Sequence, residues 1–441
     1  MVKKNWLLVL EGVMVVLIVG LGFLLKWNIE KVGWEKIEEV FPDRGLPRMN
    51  ITLNGVSLEE IDGGSKDIKY EGNGLTIYDG RSEVKEFGGV QMKGRGNTTW
   101  GQEKKPYQIR FGDKEELFGM GRARKWVLLA NALDATNLRT ETAFYLEEML
   151  GMTPAFTGEF VELYVDGDYR GLYYLTHAVE IDKQSVNLKD AMGVLVELDN
   201  MYGLIEDYRE SGNGDKLVVK DVVDVDRREE AMELFMKDYN ELEEAIKEGD
   251  YKKAEEFANL TSLAQYYLLS EFTVNPDAYW TSFYFYKNGV GDKIHAGPGW
   301  DFDLAFANKV WRNWLGDVFH SSRETMVRKK ELQTKEFYDE MGIEWYDMSQ
   351  KITSIEFDLM EMPEFQNLVQ QVYRDRMMGR EDELIWQIEQ KANKIEEAVM
   401  ADEKRWGNDG FWQEVETMKQ WISERYKYFE EVYGGERILI D

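Results

Sequence analysis

The stretch around which this chain is organised reads Gly297-Pro298-Gly299-Trp300-Asp301-Phe302-Asp303. Two carboxylates alternate with two aromatic residues, so an extended backbone would place Asp301 and Asp303 on one face and the aromatics on the other. The aromatic face would anchor the stretch in a core and fix the positions of the carboxylates. Their hard oxygens suit a divalent cation that substrate phosphates also bind. Two solvated aspartates at a strand end are the simpler alternative, since Asp-x-Asp is a common pattern.

The composition limits the classes of function that the chain can have. Its 441 residues suffice for one large domain or two to three ordinary ones, and 43% hydrophobic residues can form a sizeable core. The net charge of −29 argues against a nucleic-acid partner, because a phosphate backbone is bound by clustered Lys and Arg. The sequence has no cysteine, which excludes disulfides, thiolate metal sites and cysteine nucleophiles.

The N-terminus predicts a membrane anchor in residues 1–30. An apolar run over residues 6–27 is interrupted only by Glu11, and its length suits a single span of about 20 residues. No small-residue cleavage site follows it, which favours a retained anchor over a removed signal peptide. Because Lys3 and Lys4 precede the run, the positive-inside rule places the N-terminus in the cytoplasm and the globular part outside. A buried helix of a soluble protein is the alternative.

The rest of the chain, residues 31–441, predicts an α+β domain in two parts. Residues 49–225 form a predicted sheet-rich lobe, because short alternating runs there end in Gly or Asp-Gly, as in antiparallel hairpins. Residues 226–441 form a predicted, mainly helical lobe, because apolar residues recur there with helical spacing. The boundary is placed where the period of two gives way to a period of 3.6 residues.

Single turns and caps add detail to this prediction. Asp166-Gly167 lies between two alternating runs, which is a good signal for a two-residue hairpin turn. A helix is expected over about residues 137–150, with Gly151 as its stop. A further hairpin is expected to begin at residues 282–286, inside the otherwise helical part.

A glycine-rich segment predicts contacts with phosphate groups. It reads Lys93-Gly94-Arg95-Gly96-Asn97-Thr98-Thr99-Trp100. Closely spaced glycines let the backbone approach a phosphate, whose oxygens its N–H groups can then bind. Arg95 and Asn97 in this loop, and Lys105 at the entry to the next strand, are the predicted nucleotide contacts. A simple turn is the alternative, since Gly-x-Gly is common between strands and the segment is not a Walker loop.

Two further segments carry polar residues that packing does not require. Arg139, at the start of the predicted helix, is a candidate phosphate clamp, and a helix cap with an ion pair to Asp134 is the alternative. Asp277 lies on a loop after Asn275 and Pro276. A loop carboxylate that a proline holds in place can accept a hydroxyl proton or orient a nucleophile. Asp277 is therefore the candidate catalytic residue, with a plain turn former as the alternative.

The order of these segments resembles the CotH-type family of spore-coat atypical protein kinases. The matching segments are 95–100, 104–107, 126–131 with 138–139, 171–176, 194–199, 275–277 and 297–303. The resemblance implies a divergent protein-kinase-like fold that binds ATP together with Mg²⁺ or Mn²⁺. It also implies transfer of the γ-phosphate to Ser or Thr of a surface or envelope protein.

The resemblance implies roles for individual residues as well. Lys105 matches the position of the family's ATP-contacting lysine, and Asp277 matches the carboxylate of its catalytic loop. Asp301 matches the family's metal-binding aspartate, and Asp303 is its companion in the predicted metal site. Ser282 occupies the position of a second metal ligand.

Three departures from the family pattern leave a second hypothesis open. Ser282 stands where spore-coat members often have Asn, His177 where Glu is usual, and Ala307 where Gly is expected. A catalytically inactive structural or assembly protein of the cell envelope or spore coat is therefore the alternative to a kinase. A third hypothesis, a carbohydrate-active enzyme, needs a distant second carboxylate, because Asp301 and Asp303 are too close in sequence to straddle a sugar easily.

Overall fold

The computed structural model of the chain describes residues 36–80, 83–200, 207–310 and 354–435. The predicted membrane anchor in residues 1–30 lies outside these ranges. Within them, no helix is both long and apolar enough to span a bilayer. The architecture below refers to the described ranges.

The first part of the chain forms a closed barrel. Its strands are β1 (Arg48–Thr52), β2 (Tyr70–Asp79), β3 (Glu83–Gly94), β4 (Tyr107–Glu116), β5 (Arg122–Leu129), β6 (Gly158–Val165) and β7 (Asp168–His177). Their order is β1-β2-β3-β4-β5-β7-β6, and β6 closes the barrel by pairing in parallel with β1. Inward-facing residues of the strands fill the barrel, among them the fully buried Tyr107, Trp126 and Tyr173.

The hairpin of β6 and β7 turns at Asp166-Gly167, as the sequence predicts. Both residues have positive φ, 50° and 80°, which is the combination that a type I′ turn requires. The Asp166 carboxylate also accepts a hydrogen bond from the backbone N–H of Leu53 at 2.8 Å. The turn is thereby fastened to the end of β1, the strand that closes the barrel.

A second sheet takes strands from both sides of residue 225. Its strands are β8 (Val194–Leu198), β9 (Tyr208–Glu210), β10 (Lys216–Val222), β11 (Phe283–Lys287) and β12 (His295–Ala296), in the order β12-β11-β8-β10-β9. The predicted hairpin in the helical part is confirmed as β11 and β12. Because β11 also pairs with β8, the predicted lobe boundary does not coincide with a boundary between the two sheets.

Helices dominate the second part of the chain. Two helices come earlier in the chain, α1 (Leu58–Gly63) and α2 (Arg139–Leu150). The helices of the second part are α3 (Arg228–Lys247), α4 (Tyr251–Phe257), α5 (Leu260–Thr273), α6 (Ile355–Leu359), α7 (Pro363–Arg376), α8 (Glu381–Trp406) and α9 (Phe411–Tyr433). Helix α2 ends at Gly151, whose φ of 76° fits the predicted stop. An α+β protein with a sheet-rich first half and a helical second half is therefore confirmed.

Helix α8 fastens the helical part onto the barrel. Asp402 accepts a hydrogen bond from the backbone N–H of Leu172 at 2.8 Å and pairs with Lys104 Nζ at 2.7 Å. Lys104 is only 3% exposed, and it also donates to the Leu172 carbonyl at 2.6 Å. A Cβ at Gly171 would collide with the Asp402 carboxylate. Glycine at this position therefore lets the helix approach the barrel closely.

The buried ion pair of Lys104 and Asp402 should contribute far more to stability than the exposed ion pairs of helix α8. Asp402→Ala is expected to lower the free energy of unfolding by about 3–5 kcal/mol, because Lys104 is left buried without its carboxylate. Arg405 and Asp168 form an exposed pair at 2.7 Å, and Arg405→Ala should cost less than about 1 kcal/mol. Urea unfolding followed by circular dichroism measures both. Equal losses for the two variants would contradict the role given to the buried pair.

Candidate functional site

A cleft lies between the barrel and the stretch at residues 297–303. It is lined by Arg95, Thr99, Pro106, Leu129, Ala130, Asn131, Thr140, Trp300, Asp301 and Asp303. The space enclosed between these walls is about 30 Å³, enough for a metal ion or about two water molecules. The glycine-rich segment and the acidic stretch, far apart in sequence, thus meet at one place.

The acidic stretch is not a strand. Asp301 has a φ of 67°, in the left-handed region, so an extended backbone does not run through it. Trp300 and Phe302 are nevertheless buried, at 7% and 1% exposure. Asp301 is exposed, Asp303 is 9% exposed, and both line the cleft. The predicted burial of the two aromatic residues is present, but Trp300 lines the cleft together with both aspartates. The predicted extended conformation, with acidic and aromatic side chains on opposite faces, is therefore wrong.

Asn275 joins the loop of Asp277 to the loop of Asp301. Its side-chain amide donates to the Asp301 carbonyl at 3.2 Å, and its side-chain oxygen accepts from the Asp277 N–H at 3.1 Å. The Ser282 hydroxyl donates to the Asp301 carboxylate at 3.2 Å. The sequence does not predict this role for Asn275. The one feature of the sequence that points to this role is the position of an amide residue between the end of a helix and Pro276.

Unusual backbone conformations concentrate around the same loops. Among the described non-glycine residues with positive φ, six lie between positions 274 and 307. They are Val274, Tyr279, Ser282, Asp301, Phe306 and Ala307. Such conformations cost about 1–3 kcal/mol each and persist only where surrounding contacts impose them. Their clustering around acidic residues is typical of functional sites.

The carboxylates of the cleft repel one another. The pKa of Asp301 is raised to about 6, first because the surrounding protein desolvates its carboxylate in part, even though the residue is exposed to solvent, and then because Asp277 lies nearby; Arg95 opposes the rise. Desolvation raises the pKa of Asp303 well above its ordinary value, and the charges of Asp301 and Asp277 raise it further. Both carboxylates are therefore harder to ionise than an ordinary aspartate.

Arg95 brings positive charge to the carboxylates. Its guanidinium lies 5.4 Å from the ring centroid of Trp300, and it interacts electrostatically with Asp301 and Asp303. Burial lowers the pKa of Arg95, and the two carboxylates counteract this effect. Gly96, with a φ of 76°, has no room for a side chain in the tight loop that carries Arg95.

The structure assigns Arg139 to the fold rather than to a bound phosphate. Its fully buried guanidinium donates to the Ala305 carbonyl at 2.9 Å and pairs with Asp134 and Glu414. The ion pair with Asp134, which the sequence predicts as the alternative, is confirmed. Arg139 thereby fixes α2 against the segment that follows Asp303.

Lys105 and Asn97 lie beside the cleft and are not part of its lining. Lys105 Nζ donates to the Trp100 carbonyl at 2.6 Å and lies 5.0 Å from the Trp100 ring centroid. Asn97 is exposed at the start of the short 3₁₀ helix Thr98–Gly101. Their contacts with a nucleotide stay predictions.

The donor atoms of the cleft suit a metal ion that arrives with phosphate. Asp301 and Asp303 offer hard oxygen ligands, and their repulsion would be relieved by a cation. In the ranges that the structure covers, no group of three or more His, Asp or Glu side chains is arranged to hold a metal ion. Mg²⁺ is commonly held by one or two carboxylates, with waters and substrate phosphates completing its shell. The two carboxylates fit that mode of binding.

The chain matches the model of a known protein family. The family described as CotH kinase protein matches residues 91–429, which is most of the chain and includes the whole cleft. A search of curated proteins found no match.

The raised pKa of Asp301 predicts how removing the Asp301 carboxylate changes the stability of the fold at each pH. Between pH 3.8, its ordinary pKa, and about 6, the folded state binds more protons than the unfolded state, so stability falls as pH rises. Asp301→Asn should therefore raise the melting temperature at pH 7.5 in metal-free buffer. The gain should shrink toward pH 4, where Asp301 is protonated in the folded wild type.

Asp292→Asn is the control with the opposite sign. The pKa of Asp292 is lowered, because hydrogen bonds from the Asn288 backbone and the nearby His295 outweigh its partial desolvation. This substitution should lower the melting temperature at pH 7.5. Differential scanning fluorimetry across this pH range measures both variants. A loss of stability for Asp301→Asn at pH 7.5 would contradict the repulsion in the cleft.

Proposed function

The chain belongs to the CotH kinase family, and we propose that it transfers the γ-phosphate of ATP to Ser or Thr of a surface or envelope protein. The proposal rests on Arg95, Asp301 and Asp303, which line one cleft, and on the loop of Asp277, which Asn275 joins to the Asp301 backbone. Phosphoryl transfer asks little covalent chemistry of a protein. It asks for positioned charges of both signs, and these residues supply them.

Five residues in or beside the cleft have roles in the proposed reaction. Asp301 and Asp303 would hold a Mg²⁺ or Mn²⁺ ion, which neutralises charge on the phosphates of ATP when both are bound. Asp277 would orient the acceptor hydroxyl and take its proton. Arg95 would bind phosphate oxygens through its planar guanidinium. Ser282 would keep the Asp301 carboxylate oriented through its hydrogen bond.

The proposal extends to a divergent protein-kinase-like fold. The barrel would correspond to the sheet-rich lobe of a kinase and carries the glycine-rich segment with Arg95. The part that contains α5 and the second sheet would correspond to the other lobe, and it carries Asp277 and Asp301. This division is supported by the two hydrophobic cores. One lies inside the barrel, and the other joins the helices and the second sheet to outward-facing residues of the barrel such as Phe160.

A catalytically inactive assembly protein of the cell envelope or spore coat is the second candidate. It is favoured by Ser282, which replaces an amide ligand, and by the narrowness of the cleft, whose enclosed space is about 30 Å³. Such a protein would keep the cleft for its shape and would tolerate loss of the carboxylates.

Removing either key carboxylate should abolish most of the activity. Asp277→Asn and Asp301→Asn should each lower phosphate transfer by about 100-fold or more, because charge stabilisation and positioning dominate this chemistry. Asp168→Asn removes a carboxylate outside the cleft and should retain activity. Transfer from radiolabelled ATP with Mn²⁺ to generic acceptors and to the chain itself gives the rates. Undiminished transfer by both cleft variants would refute the proposed roles.

We also propose that residues 1–30 anchor the chain by a single membrane span, with the N-terminus in the cytoplasm and the globular part outside. Treatment of intact cells with protease tests this topology. The globular part should be degraded without lysis, because it is exposed on the outer side. Its survival in intact cells, followed by degradation after lysis, would contradict the proposed orientation.

A further inference from the structure

Arg95 lines the cleft where a metal ion is expected to bind. It reaches over Trp300 from the barrel loop and shares a cleft of about 30 Å³ with Asp301 and Asp303. A guanidinium and a divalent cation in the same cleft repel each other. Before any ligand arrives, the cleft therefore already contains a counter-ion for its carboxylates.

The position of Arg95 is imposed by its surroundings. Trp300, the ring on which the guanidinium rests, packs against Phe144 and Phe156 at centroid distances of 6.0 Å and 5.6 Å. The ring is therefore a fixed surface within the core. On the other side of Arg95, the loop is so tight that it has no room for a side chain at Gly96. The loop and the ring together direct Arg95 toward the carboxylates.

We propose that Arg95 is an exchangeable counter-ion: it offsets part of the negative charge of Asp301 and Asp303 in the free protein and turns to phosphate oxygens when metal and nucleotide bind. This inference rests on the proposed kinase function, and it predicts how nucleotide changes the affinity of the cleft for a metal ion. A divalent ion alone must compete with the guanidinium, so it binds weakly. An ion that arrives with a nucleotide gives the guanidinium new oxygen partners, so it binds more tightly.

The exchange couples the two ligands through one side chain. Arginine stays protonated throughout, so the exchange of its partners changes neither its charge nor any covalent bond. Because coupling between two binding sites is reciprocal, the metal must raise the affinity for nucleotide by the same factor as the nucleotide raises the affinity for metal. Removing the positive charge at position 95 should weaken this coupling.

The affinity of the full chain for Mn²⁺ alone tests the inference, measured from the electron paramagnetic resonance signal of the free ion. Arg95→Gln should bind Mn²⁺ about tenfold more tightly than the wild type, because the competing charge is gone. Arg95→Met, which keeps an apolar contact with Trp300, should show the same gain. Circular dichroism establishes that both variants are folded.

Arg405→Gln is the matched control. Arg405 also lies over a tryptophan ring, at 5.2 Å from the centroid of Trp406, but on helix α8 and outside the cleft. The substitution changes the net charge by the same amount. Its affinity for Mn²⁺ should stay within about twofold of the wild type, because salt screens distant charges.

A titration with a non-hydrolysable ATP analogue completes the test. The analogue should raise the affinity for Mn²⁺ more in the wild type than in Arg95→Gln. Unchanged or weaker Mn²⁺ binding by both Arg95 variants would overturn the inference. The kinase proposal would survive that result if the wild type bound Mn²⁺ together with the analogue. Failure of every form to bind Mn²⁺, with or without the analogue, would overturn both.

Discussion

Repulsion among carboxylates at one cleft is the constraint on which the site depends. Asp277 comes from one loop, and Asp301 and Asp303 come from another. The charge of Asp277 makes both Asp301 and Asp303 harder to ionise, and the charge of Asp301 adds to this effect at Asp303. Packing alone would not assemble like charges, since their desolvation and repulsion are unfavourable. The arrangement persists because Asn275 ties the loops together. A positively charged ligand would convert this unfavourable arrangement into binding energy.

The two halves of the site come from parts of the chain that buried contacts hold together. The barrel loop supplies Arg95, and the segments after α5 and β12 supply the carboxylates. Lys104 and Asp402 hold α8 against the barrel, while Arg139 fixes α2 against the segment that follows the acidic stretch. Because these contacts are buried, tertiary packing sets the distances across the cleft.

Local sequence signals predict much of this fold, and long-range contacts account for the rest. The hairpin at Asp166-Gly167 follows from turn chemistry that two residues determine. The burial pattern of the acidic stretch is also predictable, although the left-handed conformation of Asp301 is imposed by partners on another loop. The position of Arg139 depends on Ala305 and Glu414, and no local pattern identifies such partners. Local patterns therefore identify candidate residues such as Arg95 and Asp301, while the contacts that fix each side chain depend on the tertiary structure.

The central claim is that Asp301 and Asp303 hold a metal ion that also binds the phosphates of ATP. A crystal structure of the full chain with Mn²⁺ and a non-hydrolysable ATP analogue tests it most directly, because anomalous scattering locates the ion. We expect an ion in direct contact with both carboxylates and with the phosphates, and Asp277 facing the γ-phosphate. An ion that contacts neither carboxylate, or a nucleotide bound away from this cleft, would contradict it.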